Sequence, residues 1–272
     1  MTMLRGFLPV TTFEYPLDHL IRPFLPRFSR TLMISYHFAR QATGVLPLPA
    51  FIDSGGFAAL LPGSEVVERP DGTGMIVTGG DEMGDPVTPE AVLALQRRLA
   101  AYACPLDFPI PPSMHDEAER ARRLRLTLAN ARWLQARDSG SLVLYGAVQG
   151  WDEASYIACA RELVAMGYQH LALGGMVPRL SDMDFVERLV REVRSVMLPS
   201  GGLHVFGVGK PDLIARVVAA GATSTDSSSY VKAAASGTRW DGVVLPDDPT
   251  PFERAHAALA NVRLCAQAGI SG

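Results

Sequence analysis

Cysteine is scarce and scattered: Cys104, Cys159 and Cys265 are the only three in 272 residues. No CxxC or HExxH spacing occurs, so local spacing offers no structural zinc site, and three is too few for a disulfide-built scaffold. Lysine is nearly absent, with only Lys210 and Lys232 among 25 basic residues. Positive charge is not in excess either. The formal net charge of −3 gives no global field that would hold a polyanion by bulk attraction, although a local basic groove stays compatible with it. No run approaches the roughly 20 apolar residues that span a bilayer, and the N-terminus lacks a basic stretch followed by a long apolar one. The expectation is a soluble, cytoplasmic protein without a membrane partner. There is also no internal repeat, low-complexity tract or linker.

What is present is core material. Hydrophobic residues make up 48% and charged residues 19% of the chain, which excludes wholesale disorder. Short apolar runs alternate with amphipathic stretches. Strands are predicted at Thr31–Tyr36, Ala50–Ile52, Ala101–Leu106, Leu142–Val148, His170–Leu173, Leu203–Phe206 and Ala222–Thr225, with a weak last one at Gly242–Leu245. Helices are predicted at Pro89–Ala100, Asp116–Arg137, Asp152–Met166, Asp182–Met197, Pro211–Ala220 and Pro251–Ala268. Strands alternating with helices of this length imply βαβ units and a parallel sheet. Seven or eight units favour closure, so the fold class is α/β, a (β/α)8 TIM-like barrel, with residues 1–272 as one domain. Glu65–Gly80 breaks the alternation; its Arg-Pro-Asp-Gly segment reads as a β-hairpin inserted after the second predicted strand.

The informative residues follow the strands. Asp53-Ser54-Gly55-Gly56-Phe57 ends the second predicted strand and Asp107 the third, Gln149-Gly150-Trp151 the fourth, Gly174-Gly175-Met176 the fifth, Gly207-Val208-Gly209 the sixth and Asp226 the seventh. In a parallel barrel these positions converge on one rim. Each has an ordinary reading too: an aspartate after a strand caps helices, glycine pairs make tight turns, and a glutamine can be a core amide. Together they suit glycosyl transfer, in which one carboxylate attacks or stabilises the anomeric carbon and another moves the proton. A third carboxylate, an amide and glycine backbone can read the edge of a planar base, and Phe57 and Phe206 can stack on its faces or simply pack the barrel lid. Gly207–Lys210 also fits a phosphate at a helix N-terminus.

The segments DSGGF (53–57), LYGAVQGW (144–151), LALGGM (171–176) and HVFGVGKPDLIARVVAAGATSTD (204–226) resemble the tRNA-guanine transglycosylase superfamily, in this order, over roughly residues 30–230. The resemblance implies a (β/α)8 barrel that exchanges guanine in a nucleic acid for a free 7-deazaguanine base such as preQ0, with no cofactor. By position it makes Asp226 the nucleophile at C1′ and Asp53 the general acid/base. Asp107 would bind the base's N1 and 2-amino group, Gln149 its O6, and the Gly174–Gly175 backbone the same edge. Phe57 and Phe206 occupy the base-sandwich positions.

Departures from the family pattern point further. Ala58 stands where glutamine is usual, Pro105-Leu106-Asp107-Phe108-Pro109 replaces the usual segment around the base-reading aspartate, and Ser227-Ser228-Ser229-Tyr230 follows the nucleophile position. The CxCxxC…His zinc site and its helical subdomain are missing. Short relatives of this kind modify DNA, so the expectation leans to DNA over tRNA. A free nucleoside as substrate and a non-catalytic partner subunit are the alternatives, the latter opposed by the retention of both aspartates. Lys210, Arg122 and Arg125 are candidate phosphate contacts, alongside Arg120, Arg123, Arg22, Arg27 and Arg30, or else a solvated surface. The resemblance also implies homodimers, and a duplex substrate would call for accessory DNA-remodelling proteins that expose the target base.

Overall fold

Short apolar runs without strict alternation suit strands covered on both faces. In the computed structural model, which describes residues 3–13, 16–42, 45–79, 85–137 and 140–269, they form that kind of sheet. The strands are β1 (Gly6–Pro9), β2 (Leu32–Ile34), β3 (Ala50–Ile52), β4 (Glu65–Glu68), β5 (Gly74–Val77), β6 (Tyr102–Ala103), β7 (Val143–Val148), β8 (His170–Leu173), β9 (Leu203–Val205) and β10 (Ser224–Ser227). Eight of them pair in the order β1-β10-β9-β8-β7-β6-β3-β2, all parallel. The two ends of that sheet meet at a parallel Val10–Met33 bridge, where the Thr11 N–H donates to the Met33 carbonyl at 3.0 Å. The result is a (β/α)8 barrel.

Its core has two layers. Leu4, Leu8, Met33, Phe51, Tyr102, Cys104, Tyr145 and Ala172 fill the interior. The opposite strand faces, among them Phe7, Ile34, Ile52, Leu171 and Val205, pack against the surrounding helices. These include α1 (Pro16–Ile21), α2 (Tyr36–Ala39), α3 (Pro89–Leu99), α4 (Glu117–Gln135), α5 (Glu153–Ala165), α6 (Met183–Ser195), α7 (Pro211–Ala219), α8 (Ser229–Ala235) and α9 (Pro251–Ala268). Local chemistry sets several of their starts. Asp182 accepts from the Phe185 N–H at 3.0 Å, and Val186, Leu189, Val190 and Val193 of α6 then face the core at helical spacing. Asp152 with Ser155, and Thr250 with Glu253, form capping boxes on α5 and α9.

Two expectations change. The first barrel strand is Gly6–Pro9, which the sequence pattern did not mark. It is four residues long, ends in proline and is almost wholly buried, so no period-2 signal distinguishes it. The weak strand at Gly242–Leu245 does not form: Val243 and Val244 are exposed, and this stretch pairs with no strand among the described residues. A further shift is local but matters chemically: Asp226 lies inside β10 rather than after it.

The insertion after β3 is the antiparallel pair β4–β5, in register from Glu65–Val77 to Glu68–Gly74; Gly80, the end of the predicted hairpin, lies outside the described residues. Asp71 shapes its turn by accepting from the Thr73 N–H at 3.1 Å and from the Thr73 hydroxyl at 2.6 Å. Asn130 of α4 binds the hairpin to the barrel. Its amide accepts from the Gly74 N–H at 2.8 Å and donates to the carbonyls of Gly74 and Leu106.

Candidate active site

All six strand-end segments do reach one rim, because in a closed parallel barrel every C-terminal strand end faces the same side. Asp53 follows β3, Asp107 lies four residues beyond β6, Gln149 follows β7, Gly174 follows β8, Phe206 follows β9, and Asp226 is the third residue of β10. Asp226 is in register with Leu8 of β1, an interior residue, so its side chain points into the barrel mouth. It is nearly buried, and its Oδ1 accepts from the Gly207 N–H at 3.0 Å and faces His204 Nε2 at 3.1 Å.

Asp53 is positioned from its backbone side. One oxygen, Oδ1, accepts from the Tyr36 N–H at 2.8 Å and from the Gly55 N–H at 2.9 Å. Burial is the main cause that pushes this carboxyl up from an ordinary 3.8 to about 6. The negative charges of Asp107 and Asp226 add to that rise, and the two backbone donors oppose it. Asp53 and Asp226 therefore lie within electrostatic reach of each other, and no lysine or arginine among the described residues neutralises either by an ion pair. A carboxyl tuned to this range exchanges protons near neutrality, which is what a general acid/base requires.

Asp107 and Gln149 form the second half of the rim. The Gln149 amide donates to Asp107 Oδ2 at 2.6 Å, and the Ser54 hydroxyl makes a short hydrogen bond to Asp107 Oδ1. Burial raises the Asp107 carboxyl, against these two hydrogen bonds. Gln149 Oε1 is buried without a hydrogen-bond partner among the described residues; as an acceptor it does not suit the O6 contact expected of Gln149, for which only the second Nε2 proton is left. Behind them lie residues that sequence reasoning missed. The Tyr156 hydroxyl donates to the Gly174 carbonyl at 3.1 Å, and Arg179 donates to the Gly175 carbonyl at 2.7 Å and, more weakly, to those of Ile110 and Gly150. Arg179 thus ties together the loops that carry Asp107, Gln149 and Gly175. Its only sequence signal was an arginine three residues past Met176 in an otherwise apolar stretch. Ser54 stood inside the DSGGF motif and His204 inside a strand.

Gly174 lets the Gln149 amide come close: a Cβ there would overlap Gln149 Nε2, the movable end of that side chain. Gly174→Ala is expected to push the amide off Asp107. The expected result, read from denaturant unfolding, is a loss of about 0.5–1.5 kcal/mol of stability, the net size of one hydrogen bond.

The remaining candidates are placed as follows. Phe57 is exposed on a 3-10 helix (Gly56–Leu60), while Phe206 is partly buried, its ring edge-on to His204 at 4.7 Å and tilted against Phe51 at 5.8 Å. Lys210 is exposed at the N-cap position of α7. Arg122 and Arg125 have partners of their own: Arg122 binds Glu119 and the Val66 carbonyl, and Arg125 pairs with Glu68. Arg123 likewise binds Glu119 and the Pro109 carbonyl. These contacts fasten α4 to the hairpin and to the loop after Asp107. Among the described residues no three His, Cys, Asp or Glu side chains converge on a metal-sized spot, and Cys104, Cys159 and Cys265 are each buried and free.

The chain is thus a parallel (β/α)8 barrel with the carboxylates Asp53, Asp107 and Asp226 at its C-terminal rim. More narrowly, the chain belongs to the queuine tRNA-ribosyltransferase family, whose model matches residues 44–244. It is similar to a DNA-guanine transglycosylase of Salmonella montevideo, 30% identical over 118 residues that make up 43% of this chain and 28% of that one. A tRNA-guanine(15) transglycosylase of Pyrococcus abyssi is 33% identical over 130 residues, 46% of this chain and 21% of the relative. Another, from Thermococcus kodakarensis, is 29% identical over 182 residues, 64% and 30% respectively. The matched stretch thus spans less than a third of each relative's length. No described helix is long and apolar enough to cross a membrane.

Proposed function

We propose that this chain is a base-exchange transglycosylase that replaces guanine in a nucleic acid, DNA before tRNA, with a 7-deazaguanine base through a covalent aspartyl–glycosyl intermediate. The observation that carries the reading is a backbone-anchored Asp226 within electrostatic reach of Asp53, whose carboxyl is pushed up to about 6 mainly by burial, with smaller contributions from the charges of Asp107 and Asp226. In the first half, an Asp226 oxygen forms a bond to C1′ while the C1′–N bond to guanine breaks, and Asp53 gives its proton to the departing base. In the second half, Asp53 takes the proton from the glycosidic nitrogen of the incoming base. That nitrogen then attacks C1′, and the Asp226 carboxylate leaves.

Asp107 and Gln149 read the base edge, with Gly174 and Gly175 allowing close approach and Phe57 and Phe206 covering the faces. The preference for DNA rests on the similarity to a relative named for DNA. The relatives named for tRNA support the same chemistry on the other polymer. Homodimerisation, accessory proteins that open a duplex, and Lys210 as a phosphate contact belong to the same proposal.

The test is incorporation of radiolabelled guanine and of preQ0 by the purified protein into duplex DNA, single-stranded DNA and tRNA, each at two salt concentrations. Label in DNA that falls steeply with salt is the expected result. Label in tRNA alone reverses the polymer preference. Exchange only on free nucleosides overturns the nucleic-acid reading.

A further inference from the structure

Beneath Asp226 lies a polar pair that the proposed exchange does not yet use. His204 of β9 and Ser224 of β10 are fully buried and directly opposite each other in the parallel register. His204 Nδ1 lies 2.9 Å from Ser224 Oγ and its Nε2 lies 3.1 Å from Asp226 Oδ1. The imidazole is held in place by ring edges, with Phe206 at 4.7 Å and Phe51 at 5.3 Å. Three groups therefore stand in line across two strands: hydroxyl, imidazole, carboxylate.

Hydrogen-bond counting selects one tautomer. Asp226, as a carboxylate, only accepts, so Nε2 must carry the proton of the 3.1 Å contact. The Ser224 hydroxyl has no described partner other than Nδ1, and its proton is satisfied only if Nδ1 is bare. A neutral imidazole protonated at Nε2 satisfies all three groups. A proton on Nδ1 would orphan the buried serine O–H.

The consequence lies on Asp226. Its Oδ1 receives two donors, the His204 Nε2–H and the Gly207 N–H, and no hydrogen bond reaches Oδ2 among the described residues. We propose that His204, oriented by Ser224, is a positioning residue that makes the two oxygens of Asp226 unequal, so that Oδ2 attacks C1′ and Oδ1 stays anchored as the ester carbonyl. This rests on the exchange reading above. In the glycosyl ester the same two donors stabilise the charge that returns to Asp226 when the Oδ2–C1′ bond breaks, and they need not reorganise between the two halves.

Two substitutions separate donation from packing. His204→Gln keeps an amide N–H near the Nε2 position, whereas His204→Asn reaches only the Nδ1 level, toward Ser224. His204→Gln is expected to hold kcat within about tenfold of the wild-type protein. His204→Asn is expected to lose about 100-fold in kcat, the scale of one removed oxyanion donor, with KM for guanine unchanged. Nitrogen-15 NMR of the histidines in the wild-type protein gives a readout that needs no turnover: His204 should show a protonated Nε2 and a bare Nδ1. A proton on Nδ1 instead, equal kcat in both variants, or a loss carried by KM overturns the positioning role. A wild-type protein that exchanges no base while showing the Nε2–H form refutes the exchange reading and leaves the hydrogen-bonded arrangement standing.

Discussion

Asp226→Ala and Asp226→Asn should each abolish the covalent adduct between protein and nucleic acid and lower base exchange by about four orders of magnitude or more, the scale of removing a nucleophile. The asparagine variant is the sharper of the two. Its side-chain oxygen can still accept from Gly207 and His204, so the rim geometry is kept and only the attacking carboxylate is lost. The alanine variant also leaves the buried His204 Nε2–H without its acceptor, at a cost of about 1–3 kcal/mol of stability. Denaturing gel electrophoresis of a trapped complex and the guanine-exchange rate provide the two readouts. Exchange at the wild-type rate in Asp226→Asn would refute the covalent mechanism.

Asp53→Asn is expected to slow exchange by about 100- to 10,000-fold, the usual contribution of general acid–base catalysis, and to remove the limb of the pH–rate profile near pH 6. The same change should stabilise the protein at neutral pH. The folded carboxyl sits at about 6 against an ordinary 3.8, so between those values the folded state binds more protons than the unfolded one. Stability from this group is therefore present below about pH 4, falls as pH rises across the window, and is gone above about pH 6. The difference corresponds to about 3 kcal/mol. Asparagine still offers its oxygen to the Tyr36 and Gly55 N–H groups without the buried charge. Calorimetric melting should then show Asp53→Asn above wild type at pH 7 and equal to it at pH 4. A lower Tm at pH 7 would mean that the charge is a structural anchor rather than a strained catalytic group.

Much of the fold was legible because its signals are local. The caps Asp116, Asp152, Asp182 and Thr250 open the helical runs, the one after Asp182 strongly amphipathic, and the Arg-Pro-Asp-Gly turn lies between two valine-bearing runs. Gly6–Pro9 was not legible, since a strand this short, closed by proline and covered on both faces, shows no period. Val243 and Val244 misled for the converse reason: two adjacent valines resemble a strand whether or not a neighbouring edge is free to receive them. The basic run of α4 was ambiguous in sequence, and its partners Glu68, Glu119 and the Val66 and Pro109 carbonyls come from three separate segments.

The amino-acid order alone determined that strands and helices alternate, and hence that Asp53, Asp107, Gln149, Gly174 and Asp226 share the C-terminal rim of a parallel barrel. Which of them touch was decided only by closure of the sheet. The Gln149–Asp107 hydrogen bond joins residues 42 positions apart, and His204–Asp226 residues 22 apart. The rise of the Asp53 carboxyl comes from burial by the assembled barrel, which no local pattern encodes. Periodicity records which way a side chain faces, whereas desolvation and hydrogen-bond pairing depend on what the rest of the chain brings opposite it.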